Sequence, residues 1–179
     1  MGDIKLNKII AEKEFLFLAM LVVIATVLPH PENVTPIAAL GIFSGAYMNR
    51  KIYLLVPVLA SFLTDMTTVG IYNILIMAFV YAGFLLSSVA GRMILFGESV
   101  LPRLPLSIIV ATLGFYLVSN FGVWLVYYPA SLEGLLSCYS NGIPYLGRSL
   151  LGNVIYSVLF FGSFELFCYW QKQSKLAHN

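Results

Sequence analysis

The chain has 179 residues, of which 60% are hydrophobic and 10% are charged. A soluble domain of ordinary composition carries about 25% charged residues, so this chain lacks the polar side chains that a water-facing surface needs. The length fits one domain, 1–179, without a separate soluble catalytic module. The net charge of +2 argues against nucleic acid as a partner. These properties predict a single integral membrane domain whose main partner is the lipid bilayer.

Six apolar segments follow one another along the chain, separated by short polar or proline- and glycine-containing stretches. We predict helices over residues 9–28, 36–48, 52–68, 71–95, 105–127 and 148–171, with an extracytoplasmic loop at 128–147. The expected fold class is an all-α membrane protein with six transmembrane helices. The second helix is short for a bilayer core of about 30 Å. We therefore expect neighbouring helices to shield it from lipid.

Nine of the ten Lys and Arg residues fall on one side of the predicted helices, and only Arg148 falls on the other. Cationic residues near short loops stay in the cytoplasm during membrane insertion. The pattern predicts a multi-pass inner-membrane protein with both termini in the cytoplasm.

Small residues recur every four positions on two of the predicted helices. The second helix carries Gly41 and Gly45, and the fourth carries Gly83, Ser87 and Gly91. Small residues let helix backbones approach closely within a membrane. We interpret both series as packing faces inside the molecule, with a contact to a partner protein as the alternative.

Polar and aromatic side chains converge at the predicted extracytoplasmic ends of the helices. Ionisable groups at membrane depth are unfavourable unless they are paired, and they commonly line a cavity. We therefore expect an outward-facing ligand pocket. The residues predicted to bind a small molecule are His30, Asn33, Asp65, Asn120, Trp124, Tyr139 and Arg148. Trp124 and Tyr139 would stack on a ring, and the two charged residues would orient polar groups.

Each of these residues also has a structural alternative. Trp124 fits the aromatic belt at a membrane interface. Asp65 and Arg148 would form an ion pair in the membrane. His30, between two prolines, would be an ordinary loop residue.

Signatures of enzymes and of cofactor sites are missing from the sequence. Two His and two Cys residues are too few for a convincing protein metal centre, and we predict neither a metal nor another cofactor. No HExxH, GxSxG or nucleotide-binding loop occurs. We therefore predict that the chain is not an enzyme, and that any active transport draws its energy from an ion gradient or from partner subunits.

Three stretches of the chain carry a resemblance to known proteins. They are residues 28–47 (LPHPENVTPIAALGIFSGAY), 119–125 (SNFGVWL) and 131–153 (SLEGLLSCYSNGIPYLGRSLLGN). They resemble a group of small bacterial six-helix membrane proteins of unknown function. That group is in turn similar to the substrate-binding S-components of energy-coupling-factor (ECF) vitamin transporters. The resemblance covers most of the chain, from about residue 28 to residue 162.

The resemblance implies an S-component-like bundle in the bacterial inner (cytoplasmic) membrane, with an outward pocket for a vitamin-like molecule. It also implies docking on a coupling transmembrane subunit with ATPases. S-components often dock through an Ala-xxx-Ala pattern on the first helix. Ala11, Ala19 and Ala25 do not have that spacing, and the small residues lie on the second helix instead.

Two functions therefore follow from the sequence. The first is a substrate-binding, S-component-like subunit of a micronutrient or vitamin importer. The alternative is a structural or accessory transmembrane subunit of a larger membrane complex, with no ligand of its own. An open outward cavity favours the first function, and a cavity filled by residues 128–147 favours the second.

Overall fold

The computed structural model describes residues 33–48 and 51–177, and within these ranges the regular secondary structure is helical, without strands. The elements are α1 (Ile37–Tyr47), a 3-10 turn (Lys51–Leu54), α2 (Leu55–Thr68), α3 (Ile74–Leu95), α4 (Val100–Tyr127) and α5 (Leu132–Ala177). They correspond to the second to sixth predicted helices, so the all-α class is confirmed. The first predicted helix and His30 lie outside the described residues.

Three of the described helices are long and apolar enough to cross a membrane, namely Ile74–Leu95, Val100–Tyr127 and Leu132–Trp170. Their outer faces are apolar as well. Five apolar side chains on α4 are about half exposed: Leu106, Ile109, Val110, Leu113 and Leu117. A large continuous apolar surface is rare on soluble monomers, so these features indicate association with a membrane. Because α1 and α2 have 11 and 14 residues and a span needs about 20, the six spans stay a prediction.

The short helix α1 is enclosed by its neighbours, as its sequence predicts. All residues of Ile37–Tyr47 are buried. The closest approach is to α3, where a Cβ added to Gly41 would collide with Ser87, and one added to Gly91 would collide with the carbonyl group of Ile42. Gly41, Ser87 and Gly91 therefore lie at the contact between α1 and α3, whereas Gly83 lies against Phe115 of α4. Their interpretation as packing faces inside the molecule is confirmed.

An aromatic cluster joins the C-terminal end of α1 to α5. The ring centroids of Tyr47 and Phe164 are 4.5 Å apart, and those of Phe43 and Phe161 are 5.2 Å apart. Such tilted and edge-to-face pairs contribute about 0.5–1.5 kcal/mol each beyond their buried area. The cluster anchors the C-terminal half of α5 to the buried helix and leaves its N-terminal half to pack on α4.

The loop predicted at 128–147 is wrong from residue 132 onward. α5 is one helix of 46 residues that begins at Leu132. At 1.5 Å per residue it is about 69 Å long, more than twice the bilayer core of about 30 Å. Ser131 starts the helix, because its side-chain oxygen accepts a hydrogen bond of 3.1 Å from the backbone N–H of Gly134.

The residues that suggested a loop have other roles in α5. Gly142 lies against α4, where an added Cβ would be 2.5 Å from Asn120 Oδ1. This glycine serves helix packing rather than a turn. Pro144 lies inside the helix, at the cost of one backbone hydrogen bond.

α4 also begins earlier than predicted, at Val100 instead of residue 105. Pro105 lies inside the helix. Pro102 occupies the third helical position, where a backbone N–H has no acceptor within the helix. The proline that marks the start of α4 is therefore Pro102, and the predicted start relied on the wrong proline.

Candidate functional site

A cavity of about 280 Å³ lies between α4 and α5. We call it the α4–α5 cavity. The described residues that line it are Asn33, Val80, Phe115, Tyr116, Ser119, Asn120, Val123, Tyr128, Cys138, Asn141, Gly142, Tyr145, Leu146 and Ser149. Small-molecule sites are typically clefts of about 300–1,000 Å³ with apolar walls and a few fixed polar groups. The cavity has this composition and lies near the lower end of that size range.

Side chains spaced three or four residues apart form the α4 wall of the cavity. Tyr116, Asn120 and Val123 share one face of the helix at this spacing. Ser119 Oγ donates a hydrogen bond of 2.7 Å to the carbonyl oxygen of Phe115. Asn120 Nδ2 donates one of 2.8 Å to the carbonyl oxygen of Tyr116. Both polar side chains are thereby held in fixed positions.

The α5 wall has the same helical spacing. Cys138, Gly142, Tyr145 and Ser149 follow one another at intervals of three or four residues and all line the cavity. The Cys138 thiol donates to the carbonyl oxygen of Asn120 over 3.4 Å. The segment predicted to be a loop is therefore a wall of the cavity.

Two tyrosines connect the α4 and α5 walls by hydrogen bonds. Tyr116 Oη donates a hydrogen bond of 2.5 Å to the carbonyl oxygen of Tyr139. Tyr139 Oη in turn donates one of 2.7 Å to the carbonyl oxygen of Leu117. The two rings meet edge to face at 5.6 Å. Tyr139, predicted to stack on a ligand, thus cross-links α4 and α5 beside the cavity.

Two of the predicted binding residues, Asn33 and Asn120, come together in the lining of the cavity. Asn33 has a φ of 63°, in the left-handed region that asparagine tolerates better than most residues. This conformation turns the chain immediately before α1. Asn33 is 87 positions from Asn120 in the sequence, so the fold, not local sequence, brings the two amides to one site.

Trp124 and Arg148 lie beside the cavity and are not among the described residues that line it. Trp124 Nε1 donates a hydrogen bond of 3.0 Å to the carbonyl oxygen of Pro129, which fixes the connection between α4 and α5. The Arg148 guanidinium carbon is 5.6 Å from the ring centroid of Tyr145. Since Tyr145 lines the cavity, the cation lies next to one of its walls.

Asp65 belongs to a separate polar group between α2 and α3. Its Oδ2 accepts a hydrogen bond of 2.7 Å from Tyr81 Oη. Burial, reinforced by the Asp65 carboxylate, raises the pKa of Tyr72 to about 12. This phenol lies in the connection between the two helices, beside the carboxylate. The phenols stabilise the charge of Asp65 at the edge of an apolar region.

Seven polar lining residues are absent from the predicted binding set, namely Tyr116, Ser119, Tyr128, Cys138, Asn141, Tyr145 and Ser149. The signal that identifies Ser149 is its spacing from Tyr145 and from Asn141, at four and eight residues. That spacing has meaning only on a helix. The prediction of a loop at 128–147 concealed it.

A second cavity, of about 450 Å³, lies at the other end of α4. Its lining includes Tyr47, the 97–102 segment and Glu165. Tyr47 Oη donates a hydrogen bond of 3.0 Å to Glu165 Oε1. The buried phenol thus gives the carboxylate one partner among the apolar residues of the aromatic cluster.

Among residues 33–48 and 51–177, no group of three His, Cys, Asp or Glu side chains is placed to hold a metal ion. A protein-family model described as a family of unknown function (DUF6580) matches residues 9–176. No curated protein and no solved structure matches the chain.

Proposed function

The chain belongs to the DUF6580 family, whose function is unknown. We propose that it is the substrate-binding subunit of a micronutrient importer. Its ligand occupies the α4–α5 cavity. One observation carries this proposal, namely a cavity of about 280 Å³ in which amide, hydroxyl and phenol groups lie among apolar walls. A helical bundle held together only for packing does not need such a space, because unfilled volume is destabilising.

The alternative, a structural subunit without a ligand, predicts that residues 128–147 fill the cavity. Those residues form a helical wall from Leu132 onward, and Cys138, Gly142 and Tyr145 border open space. Gly142 also brings the α5 backbone close to Asn120. The arrangement supports a binding role over a purely structural one.

The remaining parts of the proposal concern topology and partners. In the proposed arrangement the chain crosses the bacterial inner membrane six times, with both termini in the cytoplasm. The end of the bundle that holds the cavity then faces outward, because nine of ten Lys and Arg residues are assigned to the opposite side. The sequence has no nucleotide-binding loop, so coupling to energy falls to partner subunits. This arrangement matches the resemblance to ECF S-components.

Native mass spectrometry of the full chain, gently extracted from its own membranes, tests the proposal. We expect a defined small-molecule adduct, and co-purifying ATPase subunits would support the importer. Val123→Phe places a ring in the cavity and should remove the adduct. Val110→Phe is the matched control, because Val110 lies on the same helix with 44% of its surface exposed. A stable assembly with other membrane subunits and no adduct would support the structural alternative. An adduct that Val123→Phe leaves unchanged would contradict the assigned site.

A further inference from the structure

We infer that the α4–α5 cavity selects an uncharged ring compound that donates an N–H or O–H group to Asn120 Oδ1 and contacts the hydroxyl of Ser149. This inference rests on the proposed function and names the class of ligand for the same cavity. Neither the family nor the resemblance specifies that class. The class of ligand follows from which polar atoms of the wall already have partners.

The orientation of the Asn120 amide follows from its hydrogen bond. The carbonyl oxygen of Tyr116 can only accept, so the group 2.8 Å from it must be the Asn120 nitrogen. The amide oxygen therefore lies on the other side, next to Gly142. Among the described residues it has no hydrogen-bond partner, and Asn120 is in the cavity lining. The fixed amide thus presents an acceptor that none of the described residues uses.

Neighbouring donors are already occupied by the backbone. Tyr116 Oη, Ser119 Oγ and the Cys138 thiol each donate to a carbonyl oxygen. A hydroxyl or thiol has a single hydrogen to donate, so these groups offer a ligand only their lone pairs. This part of the wall therefore complements a molecule with its own N–H or O–H groups. The other polar lining residues, Asn33, Tyr128, Asn141 and Tyr145, carry no charge.

Ser149 gives the lining a hydroxyl whose hydrogen-bonding capacity no described residue uses. It is 9% exposed, lines the cavity, and has no hydrogen-bond partner among the described residues. Its oxygen is not among the enclosed unpaired hydroxyls of the described residues, which belong to Ser88, Ser107 and Ser157, so it is open to the cavity. A bound molecule would supply the missing partner. Because a hydroxyl both donates and accepts, Ser149 accommodates either a carbonyl or an N–H of the ligand.

Aromatic and aliphatic surfaces make up the rest of the lining. Phe115, Tyr116 and Tyr145 provide rings, and Val80 and Val123 provide aliphatic contacts. None of the described lining residues is a carboxylate, a lysine or an arginine. A charged ligand would therefore lose its hydration without gaining an opposite charge from these walls. A volume of about 280 Å³ suits one or two small rings rather than a drug-sized molecule.

The test uses three probes of similar shape, namely benzamide, N,N-dimethylbenzamide and benzoate. The full chain carries Cys168→Ser, so that Cys138 is its only thiol. Alkylation of Cys138 by N-ethylmaleimide, in detergent, reports occupancy of the cavity that Cys138 lines. We expect benzamide to protect Cys138, the dimethyl compound to protect on the order of tenfold less well, and benzoate to give no protection.

Ser149→Ala should weaken protection by benzamide on the order of three- to tenfold. Ser163→Ala, on the exposed part of the same helix, is the matched control and should change nothing. Protection by benzoate equal to that by benzamide would overturn the inference but leave the proposed function standing. Failure of benzamide to protect, in a chain that retains a native adduct, would also overturn the inference and leave the proposed function standing. Because Cys138 is only 2% exposed, slow alkylation of the ligand-free chain is expected and does not count against the cavity. Failure of benzamide to protect, in a chain that also carries no native adduct, would overturn the proposed function itself.

Discussion

Arg92 Nη1 donates a hydrogen bond of 2.8 Å to the carbonyl oxygen of Met48, the residue that ends α1. The last carbonyl groups of a helix lack partners within the helix, and they carry partial negative charge. The guanidinium group gives a partner to the carbonyl of Met48, one residue beyond α1, and places positive charge at the C-terminal end of the helix. The same cation lies 3.2 Å from the ring centroid of Phe96. One side chain of α3 therefore holds the end of the buried helix.

This contact predicts that Arg92→Met destabilises the protein by roughly 1.5–3 kcal/mol, the range for a hydrogen bond to a charged group. The change leaves a carbonyl group of a buried helix without its partner. Arg103→Met is the control, because Arg103 forms an ion pair of 3.2 Å with Glu98 in which both side chains are about half exposed. Such pairs contribute about 0–1 kcal/mol. Thermal unfolding in one detergent should therefore separate the variants, and equal losses would contradict the capping role.

Close contact between α1 and α3 gives a second prediction. Gly91→Ala would place a Cβ against the carbonyl group of Ile42, and forcing apart two packed helices typically costs 1–3 kcal/mol or more. Gly162→Ala is the matched control on α5, where nothing lies within 4 Å of the added Cβ. Alanine is the better helix former by about 0.8–1.0 kcal/mol. We therefore expect Gly91→Ala to lower the unfolding temperature and Gly162→Ala to keep or raise it.

The sequence alone was sufficient for the parts of the fold that depend on local patterns. Gly41 and Gly91 predicted packing faces inside the molecule, and the shortness of the 36–48 segment predicted that it is shielded. The lengths of the apolar segments also predicted the positions of α3 and most of α4. These features depend on spacing along one helix, which a single sequence displays directly.

Other parts depend on contacts between distant residues, which the sequence does not display. Gly142 and Pro144 are typical of a loop, but Gly142 is required by its approach to Asn120 across the helix interface. The prediction of the site was incomplete for the same reason. Asn120 was recognised as a lining residue, whereas Ser149 was not, because its face exists only if residues 132–149 are helical.

The buried pair of Asn153 and Thr112 predicts a measurable coupling between α5 and α4. Asn153 Nδ2 donates a hydrogen bond of 2.9 Å to Thr112 Oγ1, and the residues are 4% and 2% exposed. Interhelical hydrogen bonds in membrane proteins contribute about 0.6 kcal/mol on average and up to about 1.7. A double-mutant cycle with Asn153→Leu and Thr112→Val, followed by thermal unfolding, should give a coupling in this range. Strictly additive losses would show that the bond contributes nothing.

The separation of Asp65 from the cavity predicts that its substitution affects stability and not binding. Asp65→Asn keeps an acceptor for Tyr81 but loses the charge. Since charge-assisted hydrogen bonds are roughly twice as strong as neutral ones, we expect a loss of about 1 kcal/mol in stability. Protection of Cys138 by benzamide should stay within about twofold, because Asp65 is not among the described lining residues.

Asn120→Leu should behave in the opposite way. It removes the acceptor proposed for the ligand, together with one hydrogen bond inside α4, so protection by benzamide should fall on the order of tenfold or more. Its helix keeps the Tyr116 and Tyr139 bonds to α5, which should limit the loss of stability to about 1 kcal/mol. If Asp65→Asn abolished protection while Asn120→Leu preserved it, the ligand would have to bind between α2 and α3 and not in the α4–α5 cavity.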